Sequence, residues 1–216
     1  LSPDTGSVDF GGTVKIGYFT QEGKELDPNQ RPYDYIHEIA SSIQTKEGRI
    51  TATQMMERFL FPSDLQFSTI GRLSGGEKRR AAIAGVMAMK PEVLILDEPA
   101  AGLDPIGRKV IMDMIEKYRL ATGATVLLVS HSMETVAAVA DRILVLNKGG
   151  IAMDGTVEEV FSRSDELIAM GLDVPAVTRI AVRLKEKGLP VDPCVYSVPQ
   201  AVSMLLKLIG KKEGTA

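Results

Sequence analysis

Leu73-Ser74-Gly75-Gly76-Glu77, followed within twenty residues by Val93-Leu94-Ile95-Leu96-Asp97-Glu98-Pro99 and then Ala100-Ala101-Gly102-Leu103-Asp104, decides how this chain is read. A glycine-rich turn that opens a helix, then an apolar strand ending in two adjacent carboxylates, is the linear form of a nucleotide-hydrolysis site. Phosphoryl transfer to water needs a metal ion on the phosphate oxygens, a group to orient the water, and positive dipoles on the transition-state charge. Asp97, at the C-terminal end of a buried strand, is placed to hold Mg²⁺ through water. Glu98 beside it is the candidate to polarise the attacking water. Ser74, Gly75 and Gly76 offer backbone N–H groups at the positive end of a helix, and glycine lets a phosphate come close. Ser74 can cap the same helix without conflict.

Working outward, residues 126–129 form a second apolar run, separated from 93–96 by a helical stretch over 106–120, so the alternation predicts a buried parallel sheet. His131 follows the second run and could donate to a γ-phosphate. Residues 14–19 alternate as a short strand does, and Gln21 at its end could turn a side-chain carbonyl toward the metal. The alanine-rich helix predicted over 77–89 stops at Lys90-Pro91, since proline cannot continue the hydrogen-bond ladder. Residues 32–60 read as helical, with one core stripe of Tyr35, Ile36, Ile39, Ala40 and Ile43 and a second of Met55, Met56, Phe59 and Leu60. His37 in this region receives no role.

Beyond His131 the pattern predicts a helix over 133–140 and a hairpin from 142–147 to 151–153, turned at Lys148-Gly149-Gly150. From Ser164 the texture changes to short helices broken by Gly171, Pro175, Gly188, Pro190 and Pro193, which sets an expected domain boundary near Arg163. The last helix is announced by Ser197 and Gln200 at capping-box spacing, with Val202, Leu205, Leu206 and Ile209 on one face that must pack on something.

Composition bounds the function classes. A chain of 216 residues can bury a sizeable core as one main domain with an appendage. Its longest uninterrupted apolar stretch, 81–89, is far short of the roughly 18 to 20 residues that span a bilayer, so any membrane contact is expected to be peripheral. A net charge of -3 gives no basic footprint for nucleic acid. The cluster of Arg72, Lys78, Arg79 and Arg80 reads as a solvated face. A single cysteine, Cys194, fits a reducing compartment. The P-loop pattern G-x-x-x-x-G-K-[ST] is absent, because Gly23-Lys24 and Gly210-Lys211 are not followed by serine or threonine.

Gln21, the run Leu73-Ser74-Gly75-Gly76-Glu77, the 93–99 segment, Ala101-Gly102-Leu103-Asp104 and His131 together resemble the ATP-binding cassette (ABC) ATPases over nearly the whole chain. The resemblance implies an α/β fold of the P-loop NTPase type: an ABC nucleotide-binding domain over 1–163, with a helical signature subdomain over 22–90 and a dimerisation-type helical appendage over 164–216. It implies ATP and Mg²⁺ as cofactors. Gln21 then takes the Q-loop role, Leu73, Ser74, Gly75, Gly76 and Glu77 the signature, Asp97 and Glu98 the Walker B motif, Asp104 the D-loop and His131 the H-loop. The metal falls to Gln21 and Asp97, and catalysis to Glu98 and His131. Ala100 departs from the family's usual threonine or serine, which should cost a local hydrogen bond only.

Two subfamilies share the chain. Residues 1 to about 80 look like the soluble F-subfamily proteins of translation, and residues from about 77 onward look like the ATPase subunits of energy-coupling-factor transporters. The seam falls in 73–80, which both groups share. The function implied is ATP hydrolysis that powers vitamin or metal-ion uptake. The partners implied are a second ABC ATPase subunit in a head-to-tail dimer and a transmembrane subunit, on the cytoplasmic face of the membrane. The alternatives are a ribosome-associated ATPase, the one case in which nucleic-acid contact is expected, and an inert fragment that only offers its signature to another cassette. Leu1 looks like a truncation point behind a missing P-loop, so the isolated chain is expected to bind ATP poorly.

Overall fold

A computed structural model of the chain describes residues 5–9, 11–20, 26–45 and 48–213, without the side chains of 43–45 and 211–213. Gln21 lies outside the described residues. The contacts divide the chain into two compact units, Leu1–Val129 and Ser130–Ala216.

The first unit is built on a three-stranded parallel sheet. Strand β4 (Val93–Asp97) lies in the centre, between β1 (Ile16–Phe19) and β5 (Thr125–Val129). Phe19 is opposite Leu96, and Asp97 is opposite Val129. Side chains alternate between faces. Phe19, Leu94 and Leu96 are buried on one face, whereas Tyr18, Leu127 and Val129 on the other remain about half exposed. The 18-residue helix α5 (Pro105–Thr122) joins β4 to β5, with Asp104 capping its start, Pro105 at its first turn and left-handed Gly123 at its end.

Helix α4 (Gly75–Ala88) covers the buried face of β1. Its residues 81–88 are all buried, eight in succession, so the helix is enclosed around its whole circumference. Such enclosure needs small residues: Ala81, Ala82, Ala84, Gly85 and Ala88 supply them. A methyl group on Gly17 of β1 would lie 2.8 Å from Val86 Cγ1, so only glycine allows the strand and helix to meet this closely. The helix ends at Lys90, whose φ of 53° turns the chain toward Pro91.

Helices α1 (Pro32–Ile39), α2 (Ala52–Arg58) and α3 (Ser63–Gln66) pack around α4, with Ile36, Met55, Met56, Phe59 and Phe61 buried among them. Two expectations for this region are corrected. Ile43 is not on a helix: α1 stops at Ile39, Ala40 is extended, and β2 (Ser42–Thr45) pairs antiparallel with β3 (Gly48–Thr51). The Ser42-Ile43-Gln44-Thr45 stretch, rich in residues that compete with or crowd a helix, follows strand geometry instead. Leu60 is not core either, because its φ of 57° closes the turn after α2 and leaves the side chain 50% exposed.

The second unit begins with α6 (Met133–Val139) and a hairpin of β6 (Ile143–Asn147) and β7 (Gly150–Gly155). Lys148 and Gly149 both have positive φ, the type I′ turn that matches strand twist. Helix α7 (Val157–Phe161), which the sequence reading did not anticipate, starts on a capping box of Thr156 and Glu159. Helices α8 (Ser164–Ala169), α9 (Ala176–Glu186) and α10 (Val198–Glu213) follow. The cluster of Val145, Met153, Val160, Phe161, Leu167 and Val174 takes residues from both sides of Arg163, since the hairpin's apolar face needs Leu167 and Val174 to cover it. In the last helix the Ser197 and Gln200 capping box forms as expected, while Val202, Leu206 and Ile209 are at least half exposed.

Candidate functional site

Within the first unit the chain brings the start of α4 against the turn that follows β4. Ser74 is the N-cap: its hydroxyl oxygen accepts from Glu77 N at 3.3 Å, and Glu77 Oε2 accepts from Ser74 N at 2.7 Å and from Ser74 Oγ at 2.8 Å. These reciprocal bonds start the helix at Gly75, and the first-turn amides of Gly75 and Gly76 have no intrahelical acceptor. Ser74 and Gly75 are exposed, and Leu73 is buried beneath them. A phosphate reaching this turn would meet the helix's positive end with the Glu77 carboxylate already committed to the cap.

Asp97 ends β4 half-buried. Glu98 follows with φ 48°, a left-handed conformation that a residue with a side chain adopts only when its surroundings compel it. Its N–H donates to Val129 O at 2.9 Å, and its carbonyl accepts from Ala101 N at 3.1 Å. The turn leads to Leu103, which is buried, and to Asp104, whose Oδ1 accepts from Gly107 N at 3.0 Å as the cap of α5. A methyl group on Gly76 would sit 2.9 Å from Leu103 Cδ2, so the signature turn and the Asp104 loop are in direct contact.

The basic cluster divides. Arg72 and Lys78 are exposed, as a solvated face requires, whereas Arg79 and Arg80 turn inward. Arg79 donates to Glu98 O and Ala101 O, and Arg80 lies over the Phe61 ring, 5.5 Å from its centroid. Burial pulls the Arg79 guanidinium below its ordinary pKa, while the nearby Glu98 and Asp97 charges oppose the shift. Sequence reasoning missed these two because charge runs usually face water. The signal that could have found them is their position opening the enclosed stretch of α4.

The site residues expected from sequence therefore fall in three places. Leu73, Ser74, Gly75, Gly76, Glu77, Asp97, Glu98 and Asp104 share the first unit. His131 is exposed at the start of the second unit, and Gln21 is outside the described residues. Among the described residues no group of three or more His, Cys, Asp or Glu could hold a metal ion. An ion at Asp97 could complete its shell with phosphate oxygens, water and the Gln21 side chain expected from sequence. That suits Mg²⁺, which binds through one or two carboxylates plus substrate phosphates.

Comparison with known proteins bears on the fold and the relatives of the chain. The ABC transporter family profile matches residues 11–101. The energy-coupling factor transporter ATP-binding protein EcfA2 of Symbiobacterium thermophilum is 49% identical over 142 residues, 66% of this chain and 49% of that protein. EcfA2 of Clostridium perfringens is 50% identical over 137 residues, 63% of this chain and 48% of that protein. The chain thus spans about half the length of the curated relatives it matches. Among solved structures, a metal-chelate type ABC transporter in an inward-facing conformation matches with a TM-score of 0.57 at 22% identity, over 72% of this chain and 63% of that one. A dimeric ATP-binding cassette bound to ADP and phosphate matches with a TM-score of 0.53 at 22% identity, over 67% and 63%.

Proposed function

We propose that the chain is an ABC-type ATPase domain that binds and hydrolyses ATP as the ATP-binding subunit of an energy-coupling-factor type transporter. The observation that carries this reading is the position of Asp97 and Glu98, at and just after the C-terminal end of the central strand, on the turn whose Leu103 packs against Gly76. Glu98 polarises the attacking water. Asp97, with Gln21, holds Mg²⁺, which when bound supplies charge neutralisation on the phosphate oxygens. His131 donates to the γ-phosphate. Behind the Ser74 cap, Gly75 and Gly76 present their backbone donors to a nucleotide held by a second ABC subunit, so the working unit is a head-to-tail dimer docked on a transmembrane subunit. No helix among the described residues is long and apolar enough to cross a membrane, which suits a peripheral position at the cytoplasmic face.

The test is hydrolysis measured beside nucleotide binding in the assembled ATPase. Glu98→Gln should abolish turnover by about 100-fold or more and leave ATP binding largely intact. Asp97→Asn should weaken Mg²⁺-ATP binding as well. Equal loss of binding in both variants would remove the separate roles of the two carboxylates. A second reading, a soluble ATPase acting on the ribosome, draws on the resemblance of residues 1–80. Cosedimentation with ribosomes, in place of copurification with a membrane subunit, would favour it.

A further inference from the structure

Arg79 sits on the second turn of α4, yet its guanidinium reaches across to the turn that carries Glu98. Nη2 donates to Glu98 O at 2.6 Å and Nη1 to Ala101 O at 2.9 Å. The guanidinium carbon lies 5.3 Å from the centroid of the Phe19 ring, which forms one wall. The remaining donor, Nε, is buried and has no hydrogen-bond partner among the described residues. A buried donor left unsatisfied is costly, so the arrangement serves the two bonds made by the fork rather than the comfort of the side chain.

Those bonds fall where the backbone needs them. Glu98 occupies a left-handed conformation without being glycine, and such a conformation persists only when its neighbours over-determine it. Val129 O holds the residue by its N–H, Ala101 N holds its carbonyl, and Arg79 supplies the third restraint from a different element. A planar fork with fixed spacing can clamp two carbonyls at once, which a single ammonium does less well.

We propose that Arg79 is a positioning residue for hydrolysis: by bridging the Glu98 and Ala101 carbonyls it locks the turn that aims the Glu98 carboxylate and ties that turn to the helix whose N-terminus carries Ser74, Gly75 and Gly76. The inference rests on Glu98 being the group that polarises water. Each subunit then couples two half-sites: Glu98 acts on its own nucleotide, the signature on the opposite one, and Arg79 sets their relative placement.

The test compares Arg79→Met, Arg79→Lys and Glu98→Gln in the ATPase as its gene encodes it, assembled with its partner subunit. Methionine keeps the apolar stem against Phe19 and removes every donor. Its kcat should fall about tenfold or more with the KM for ATP within about twofold, since the loss is confined to the chemical step. Lysine, which retains a donor for one carbonyl, should keep about a third of the wild-type kcat or more. In Arg79→Met, hydrogen exchange at the Ala101 amide should accelerate about tenfold while Leu94 and Leu96 are unchanged. A kcat within twofold of wild type in Arg79→Met, or accelerated exchange shared by Leu94 and Leu96, overturns the proposal. Turnover lost in Glu98→Gln but kept in Arg79→Met overturns the role of Arg79 alone. Turnover retained by Glu98→Gln overturns the reading of Glu98 itself and the catalytic role of Arg79 with it.

Discussion

Helices α4 and α10 open on the same device and finish in opposite surroundings. Ser74 with Glu77 and Ser197 with Gln200 make the same reciprocal cap, with the N3 side chain accepting from the cap's backbone N–H in each. Beyond the cap, residues 81–88 of α4 are wholly enclosed, whereas Val202, Leu205, Leu206 and Ile209 of α10 stay exposed. Five of the eight enclosed residues are alanine or glycine, whereas the exposed stripe of α10 is made of branched aliphatics. A helix start is thus written locally, but apolar residues on a helix become core only if other elements come near enough to cover them. Small residues permit that approach on every side. The large stripe of α10 stays in water, and in the proposed head-to-tail dimer its expected cover is the second ATPase subunit.

The two caps are the sharpest place to break this comparison. In a dimer with a second ABC subunit, Ser74→Arg should lower hydrolysis at the partner's nucleotide by about 100-fold or more, because a long side chain obstructs the approach of the phosphate to the Gly75 and Gly76 amides. Ser197→Arg should leave turnover unchanged and lower stability by about 1 kcal/mol, the ordinary cost of a lost cap. Equal effects on turnover would mean that the α4 cap has no role beyond starting a helix.

Next in size is the pair of glycines inside the two helices. A methyl group on Gly85 would lie 2.5 Å from Tyr35 Cε1, so Gly85→Ala should destabilise by about 1 to 3 kcal/mol through displacement of the ring, read by denaturant unfolding. Stability unchanged or raised would mean that α1 and α4 are less closely packed than described. Replacing Leu206 and Ile209 together by serine should change stability by only about 0.5 kcal/mol, since both are already in water. The same variant should weaken ATPase dimerisation about tenfold by sedimentation. An unchanged dimer would show that the α10 stripe faces something else. At the second glycine, Gly210 of α10, an added methyl meets nothing within 4 Å. Gly210→Ala should raise stability by up to about 1 kcal/mol through helix propensity alone, and a loss would reveal a contact at this face.

Much of the fold could be read in advance where its signals are local or periodic. The apolar runs 93–96 and 126–129 became β4 and β5, and Lys90-Pro91 marked the end of α4. The hairpin turn came from Lys148-Gly149-Gly150, although pairing resumes already at Gly150. Ile43 departs from the helical reading because a stripe of apolar residues continues across a break that no proline or glycine marks, whereas the end of α2 before Leu60 is signalled by Pro62. The break at Ala40 is decided by the pairing of Ile43 with Ile50, a tertiary event. Arg79 was hidden for a related reason, since a charge run looks solvated until the position of the turn after β4 is known.

The sequence by itself determined the residue types of the candidate site, their order, the caps of α4 and α10, and the strand that ends at Asp97 with Glu98 after it, because each follows from spacing along the chain. Only the tertiary structure decided that Gly76 touches Leu103, that Arg79 clamps the Glu98 and Ala101 carbonyls, and that α4 is enclosed while α10 is open. Such contacts join residues about 20 or more positions apart, and no local propensity encodes which of several compatible surfaces will meet. That choice is made when α4 packs against β1 and the turn after β4, where the size of one side chain determines how closely they approach.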